Sequence, residues 1–202
     1  MATLGKTTKL QAVNQVLSFI GEAPVNSLED STGVGDVSLA ERTLDEITLE
    51  VLSQGWHFNT NYDVEHAPDS NKEIVLGPTV LRVDTKVGQY SDMDVTLRGN
   101  KLYNRADNSF EYDESEIKTV EVVSLPWDDL PETARRYITL RTARVFQDRS
   151  MGSPDLTQTG TREELVALAA LREYDSEGSD YSVFDAHLPM KTISDYRRTT
   201  AW

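Results

Sequence analysis

The chain has no cysteine among its 202 residues. That excludes disulfides, a thiolate nucleophile and any Cys-ligated zinc or iron–sulfur site. Histidine is scarce: His57, His66 and His187 stand far apart in the sequence. A three-His metal site would need all of them, and each reads more simply as an ordinary polar side chain. No catalytic, metal or cofactor-binding residue is therefore expected. Long apolar runs are missing as well. The uncharged apolar stretches are only a few residues long, whereas a membrane-spanning helix needs roughly 20, so no membrane partner is expected. The opening Met1-Ala2-Thr3-Leu4-Gly5-Lys6 has no apolar signal-peptide core, which predicts synthesis in a cytoplasm without cleavable export. Positive charge is short: 20 Lys and Arg face 34 Asp and Glu, a formal net charge of −14. Tight binding to nucleic-acid phosphate needs a basic footprint, and this balance opposes one.

What the chain does have is periodicity. Hydrophobic residues make up 38% of it and its mean hydropathy is −0.47, enough for one large or two small cores under a polar surface. Leu10, Val13, Leu17 and Ile20 recur at helical spacing, widened by Ala12, Val16 and Phe19, which predicts a helix over 8–20. Thr7 or Thr8 can cap its start, and Gly21 followed by Pro24 ends it. Residues 26–35 have loop chemistry. A second helix is predicted over 36–54 from the stripe Val37, Ala40, Leu44, Ile47 and Val51, with Gly55 as its stop. Two such helices joined by a loop pack antiparallel most simply.

From Trp56 to Leu125 the period shortens. Runs at 56–64, 73–76, 80–83, 94–98, 101–103 and 117–125 read as strands, and Arg98-Gly99-Asn100-Lys101 is a hairpin signal. A small antiparallel sheet or barrel is expected. Asp129-Leu130-Pro131-Glu132 has the pattern of a capping box opening a third helix, carried on by Ala134, Tyr137, Ile138, Leu140, Val145 and Phe146. Gly152-Ser153-Pro154 closes it. A fourth helix is predicted over 161–177, with Thr161-x-x-Glu164 as a second capping box and Leu165, Leu168, Ala169 and Leu171 as its apolar side. An earlier start near Asp155 stays open, with Gly160 as a weak point. Beyond Gly178, isolated Tyr181, Phe184, Leu188, Met190, Ile193, Tyr196 and Trp202 cannot build a core of their own.

The expected fold class is α+β. A four-helix bundle would form from N-terminal (1–55) and C-terminal (126–177) helix pairs, with an inserted small antiparallel β domain (56–125) and an extended C-terminal arm (178–202). Trp56 and Phe58 are expected at the junction of bundle and β domain. Leu10, Ile20, Leu44, Trp56 and Ile138 are expected in the core.

Reaction chemistry is hard to place on this sequence. Asp128 and Asp129 are adjacent, whereas glycosidase carboxylates face each other across a bond about 5–9 Å apart. Gly33-Val34-Gly35 follows no strand and precedes no Lys-Ser/Thr, so neither a dinucleotide fingerprint nor a P-loop fits. No G-x-S-x-G or H-E-x-x-H occurs. The third helix carries Arg135, Arg136, Arg141, Arg144 and Arg149. At about 100° per residue these scatter around the helix and make no stripe to track DNA, so ion pairs with acidic helices of the same or a neighbouring chain are the expectation.

Several segments together resemble the tail tubular protein A family of short-tailed phages. They are Leu10-x-x-Val13-Asn14-x-x-Leu17-x-x-Ile20-Gly21-Glu22-Ala23-Pro24-Val25; Gly55-Trp56-x-Phe58-Asn59; Asp129-Leu130-Pro131-Glu132 with Arg136-Tyr137-Ile138; and Ala143-Arg144-x-Phe146-Gln147 with Gly152-Ser153-Pro154. The resemblance covers roughly residues 9–175 and weakens over the last 25.

It implies a non-enzymatic virion protein, a head-to-tail adaptor assembled in the host cytoplasm. Copies would form a ring, dodecameric in the family, between the portal protein and the tail nozzle protein of the tail tubular protein B type. Double-stranded DNA would pass through the lumen during ejection without specific binding. A tail-associated polysaccharide hydrolase and a DNA-binding tail component are the alternatives. For contacts with the portal or a neighbouring subunit, the expected residues are Arg135, Arg141, Arg144, Tyr181, Phe184, Tyr196 and Trp202. The alternative for the arginines is pairing within the chain.

Overall fold

The computed structural model describes residues 5–29, 35–85, 93–150, 152 and 154–178. Among these residues the protein is α+β, with four α-helices, a three-stranded antiparallel sheet and a separate two-stranded one.

Helix α1 (Lys9–Phe19) begins with a capping box: the Thr8 side chain accepts from the Gln11 amide while Gln11 accepts from the Thr8 amide. Such reciprocal caps satisfy two otherwise orphaned donors. Its buried face is Ala12, Val13, Val16 and Leu17. Leu10 and Ile20, expected in the core, are only half-buried. Leu10 lies about 90° from the middle of the buried stripe at 100° per residue, and Ile20 is the C-cap beyond the last helical turn. Leu44, Trp56 and Ile138 are buried as expected.

Helix α2 (Gly35–Leu52) buries the whole predicted stripe, from Val37 to Val51. Helix α3 (Glu132–Ser150) is the most enclosed helix: Ala134, Tyr137, Ile138, Leu140, Ala143 and Phe146 are buried with Thr139, Thr142 and Gln147. The two threonines donate back to the carbonyls of Arg135 and Ile138 at 2.7 Å, which satisfies hydroxyls that enter an apolar setting. Helix α4 (Pro154–Gly178) runs unbroken through Gly160. All four helices contribute side chains to one apolar core.

The predicted capping boxes of α3 and α4 do not form. A 3-10 turn over Trp127–Asp129 precedes α3, and Glu132 turns to the N-terminal segment instead, accepting from the Thr7 amide at 2.8 Å and the Thr7 hydroxyl at 2.5 Å. Glu164 lies mid-helix on the buried side of α4. That also corrects the predicted apolar side: Leu171 is buried, but Leu165 is 59% exposed and Ala169 is exposed too.

Strands β1 (Thr60–His66), β2 (Val80–Thr85) and β5 (Ile117–Val123) form the larger sheet, with β5 in the middle and both pairings antiparallel. Strands β3 (Val95–Arg98) and β4 (Lys101–Asn104) are the predicted hairpin. Of its two turn residues only Gly99 has a positive φ, 63°, the requirement of a II′ turn at its first central position. The run 73–76 stays outside the named strands, yet Ile74 and Leu76 flank β4 through backbone bonds to Leu102 and Asn100. A second apolar core gathers Ile74, Leu76, Val80, Val83, Val95, Leu102, Tyr112 and Ile117. The start of the first predicted strand is a 3-10 turn, His57–Asn59, which is the junction between helices and sheet.

Candidate interface surfaces and the side chains behind them

The junction follows from the segment Gly55-Trp56-His57-Phe58-Asn59. Gly55 has φ 79°, and a Cβ there would sit 2.5 Å from Arg82 Nη2 and 3.0 Å from Val122 Cγ2, so only glycine lets α2 turn this close to the sheet. Asn59 is 1% exposed. Its Oδ1 accepts from the Trp56 amide at 2.8 Å. Its Nδ2 donates to Leu52 O at 2.9 Å and to Val123 O at 2.8 Å. One amide thus joins the end of α2, the 3-10 turn and the central strand. Trp56 is buried, donates to Val51 O at 2.8 Å and stacks on Phe58 at 6.5 Å. Both aromatics pack on the helical core.

The three sequence-predicted arginines are used within the chain. Arg135 is 3% exposed. It donates to three backbone carbonyls: Leu130 at 3.1 Å, Thr7 at 2.6 Å and Asp128 at 2.7 Å. Trp127 Nε1 donates to the same Thr7 carbonyl at 2.9 Å, so the N-terminal segment is clamped on the start of α3. Arg141 pairs with Glu50 of α2 at 2.6 Å and with Glu164 of α4 at 2.8 Å. Arg144 also pairs with Glu164, and with Asp148 at 3.1 Å. Burial opposes the Arg141 charge, but hydrogen bonds to Glu50 and Glu164 raise its pKa overall. Arg144 is raised mainly by its bond to Glu164. Both guanidiniums therefore stay charged, and Glu164 is the shared counter-ion that ties α4 to α3. Tyr181, Phe184, Tyr196 and Trp202 lie outside the described residues.

Among the described residues, several surfaces remain open. Between α1, α3 and α4 runs a groove of about 710 Å³, its walls including Gln15, Arg136, Leu140, Arg162, Glu163 and Val166. Beside it, the outer side of α4 presents Leu165 at 59% and Val166 at 63% exposure, with Ala169 forming one continuous patch. A smaller depression of about 350 Å³ is lined by α2 and the loop before α3, and includes Lys9, Asp45, Leu49, Leu125 and Trp127. Leu49 is 48% exposed there. Large apolar side chains left in solvent together on a helix mark contact surfaces. Sequence reasoning missed these because Leu165 and Ala169 were assigned inward. The signal that would have reversed them is Glu164, whose burial depends on arginines in another helix.

Asp128 and Asp129 are exposed neighbours on the 3-10 turn. His66 meets Glu121 at 2.6 Å between β1 and β5, a pairing inside the sheet. Among the described residues no group of His, Asp and Glu converges as metal ligands, and no helix is long and apolar enough to cross a membrane.

Comparison with known proteins agrees with this frame. The family model described as Tube, tail tubular protein, matches residues 10–181, a span that takes in all four helices and both sheets. The chain is also 26% identical over 167 residues to the Tail tubular protein A of Klebsiella phage KP34, covering 82% of this chain and 86% of that one.

Proposed function

This chain belongs to the tail tubular protein family, structural components of phage tails, and from that premise we propose that it is the adaptor ring subunit joining the portal to the tail nozzle. In this reading, residues 1–55 and 126–177 form one four-helix bundle. Residues 56–125 are the β domain that faces the nozzle or a neighbour, and 178–202 are an arm that reaches the portal or the next subunit. Copies form a ring, a dodecamer as in the family, assembled in the host cytoplasm. DNA passes through its lumen without specific contact. Arg135, Arg141 and Arg144 serve the interface by holding rigid the helices that present it, and Tyr181, Phe184, Tyr196 and Trp202 are the arm's anchors.

The observation that carries the proposal is the apolar outer side of α4. A chain of net charge −14 gains nothing as a monomer from Leu165 and Val166 at 59% and 63% exposure. Rings need heterologous contacts, two different faces on each subunit, and two separate open surfaces are present. Net negative charge keeps free subunits soluble and repels passing DNA over a Debye length of about 8 Å in physiological salt. Electron microscopy of particles made without this protein tests the reading: filled heads lacking tails are expected, and normally tailed particles overturn it.

A further inference from the structure

Charge on the described surface is largely spent on internal pairs. Lys9, Lys72, Lys101, Arg105, Arg141 and Arg149 each hold a carboxylate. Arg162 and Arg172, like Lys6, Arg82, Arg98 and Arg136, stand outside these pairs: both are exposed, and among the described residues neither makes an ion pair. On α4 they share one face with Leu165, Val166 and Ala169, at the three-and-four spacing that lines up a helix side. The outer side of α4 is therefore an apolar strip with a free guanidinium at each end. Helix α2 carries the opposite pattern. Its exposed side holds Leu49, 48% exposed, flanked by Asp45, Glu46 and Glu50, and the helix has five carboxylates to one arginine. Asp45 is held by Lys9, Glu50 by Arg141, and Glu46 by Arg149 and by Arg42 of α2 itself, yet all three carboxylates keep half or more of their side chains in solvent. The two faces share no lining residue.

We propose that the outer face of α4 docks on the Leu49 face of α2 in a second copy of this chain, as the head-to-tail contact of the ring. The inference rests on the adaptor reading above and specifies its partner surface. Complementarity has two parts here. Leu165, Val166 and Ala169 cover Leu49, removing apolar area from water at both faces. Arg162 and Arg172 meet the carboxylates of α2, which fixes register, and the excess of carboxylates on α2 opposes an α2–α2 pairing by like charge. Because the two faces differ, the contact cannot close on itself as a two-fold dimer, and it propagates until a rotation closes the ring.

The absence of native cysteine makes a cross-linking test clean. Full-length chains carrying Leu49→Cys, Val166→Cys, or both are assembled into phage particles and treated with a short bismaleimide. Both positions are exposed, so the substitutions spare the fold. The double variant is expected to give a ladder of multimers on a denaturing gel, and each single variant only monomer. Mixed particles carrying both single variants should give a one-to-one dimer. Dimers from Val166→Cys alone or Leu49→Cys alone, a link closed within one chain, or particles that contain the double variant and yield no ladder each overturn the docking. Wild-type particles that lack the protein altogether remove the adaptor reading itself, and this contact with it.

Discussion

At the scale of single residues, the polar side chains buried here are connectors. Asn59 serves three backbone groups from three segments. Arg135 holds three carbonyls with no carboxylate opposite it among the described residues, and Glu164 stands between two arginines. Each replaces water for groups that burial would otherwise leave unsatisfied. Asn59 makes the sharpest case. Asn59→Ala removes one acceptor and one double donor, so the Trp56 amide loses its side-chain acceptor and the Leu52 and Val123 carbonyls each lose a donor, Leu52 keeping only its bond from the Gly55 amide. Buried unsatisfied groups cost roughly 1–3 kcal/mol each when water cannot reach them, so a total loss of about 3 kcal/mol is expected, and for a chain of this size a melting point roughly 6–12 °C lower. Asn59→Asp keeps the acceptor and loses both donations, so it should be no better tolerated. Thermal unfolding followed by circular dichroism checks both variants, and a shift under about 2 °C for either would remove Asn59 from this role.

At the scale of elements, what the sequence revealed and what it concealed have separate causes. Elements specified by local chemistry were readable: the Thr8 cap of α1, the apolar stripe of α2, and the Gly99 hairpin all depend on neighbours within a few positions. Those that failed depend on partners far along the chain. The α3 box was lost because Thr7 competes for Glu132. The apolar side of α4 was misread because its buried face includes Glu164, neutralised by Arg141 and Arg144 some 20 residues upstream. Of the candidate interface, the arginines were visible as a cluster whose scatter around α3 left pairing within the chain open as the alternative, but which carboxylates on the two other helices they meet was not legible. The start of α4 was open for a related reason: Gly160 weakens a helix by about 1 kcal/mol relative to Ala, yet here it packs on the stem of Arg144. A Cβ at that position would lie 3.5 Å from Arg144 Cβ and Cγ, ordinary contact distance. Gly160→Ala is therefore expected to stabilise the protein by roughly 0.5–1 kcal/mol. Denaturant titration should show a higher midpoint with an unchanged slope, and a lower midpoint would mean that α4 needs the small residue to approach α3.

At the scale of the whole molecule, the question is whether helices and sheet behave as one body. Each has its own apolar core, which by itself allows separate melting. Against that stand the Asn59 bridge and the close approach of Gly55 to Arg82 and Val122. Two tyrosines report on the two cores. Tyr112 belongs to the β core, and burial pushes its phenol well above the ordinary value, helped by the Glu114 charge. Tyr137 belongs to the helical core and is also raised, first by burial, with Arg141 opposing. For a phenol, a folded pKa above the unfolded value of about 10 means that the folded state holds its proton longer. The resulting stability is fully present below pH 10 and is lost as pH rises beyond it, because the unfolded chain ionises first. Lys9, raised by Glu41 and Asp45 against the cost of its burial, acts in the same direction. Alkali should therefore unfold the protein, and the two buried tyrosines should ionise only as it does so. With the cores coupled, tyrosinate absorbance near 295 nm from Tyr112 and Tyr137, assigned by Tyr112→Phe and Tyr137→Phe, rises at a single pH together with the loss of helical ellipticity. Two separate pH steps would show that sheet and helices unfold independently, and ionisation of either tyrosine near pH 10 with the ellipticity intact would show that its ring is not enclosed as described.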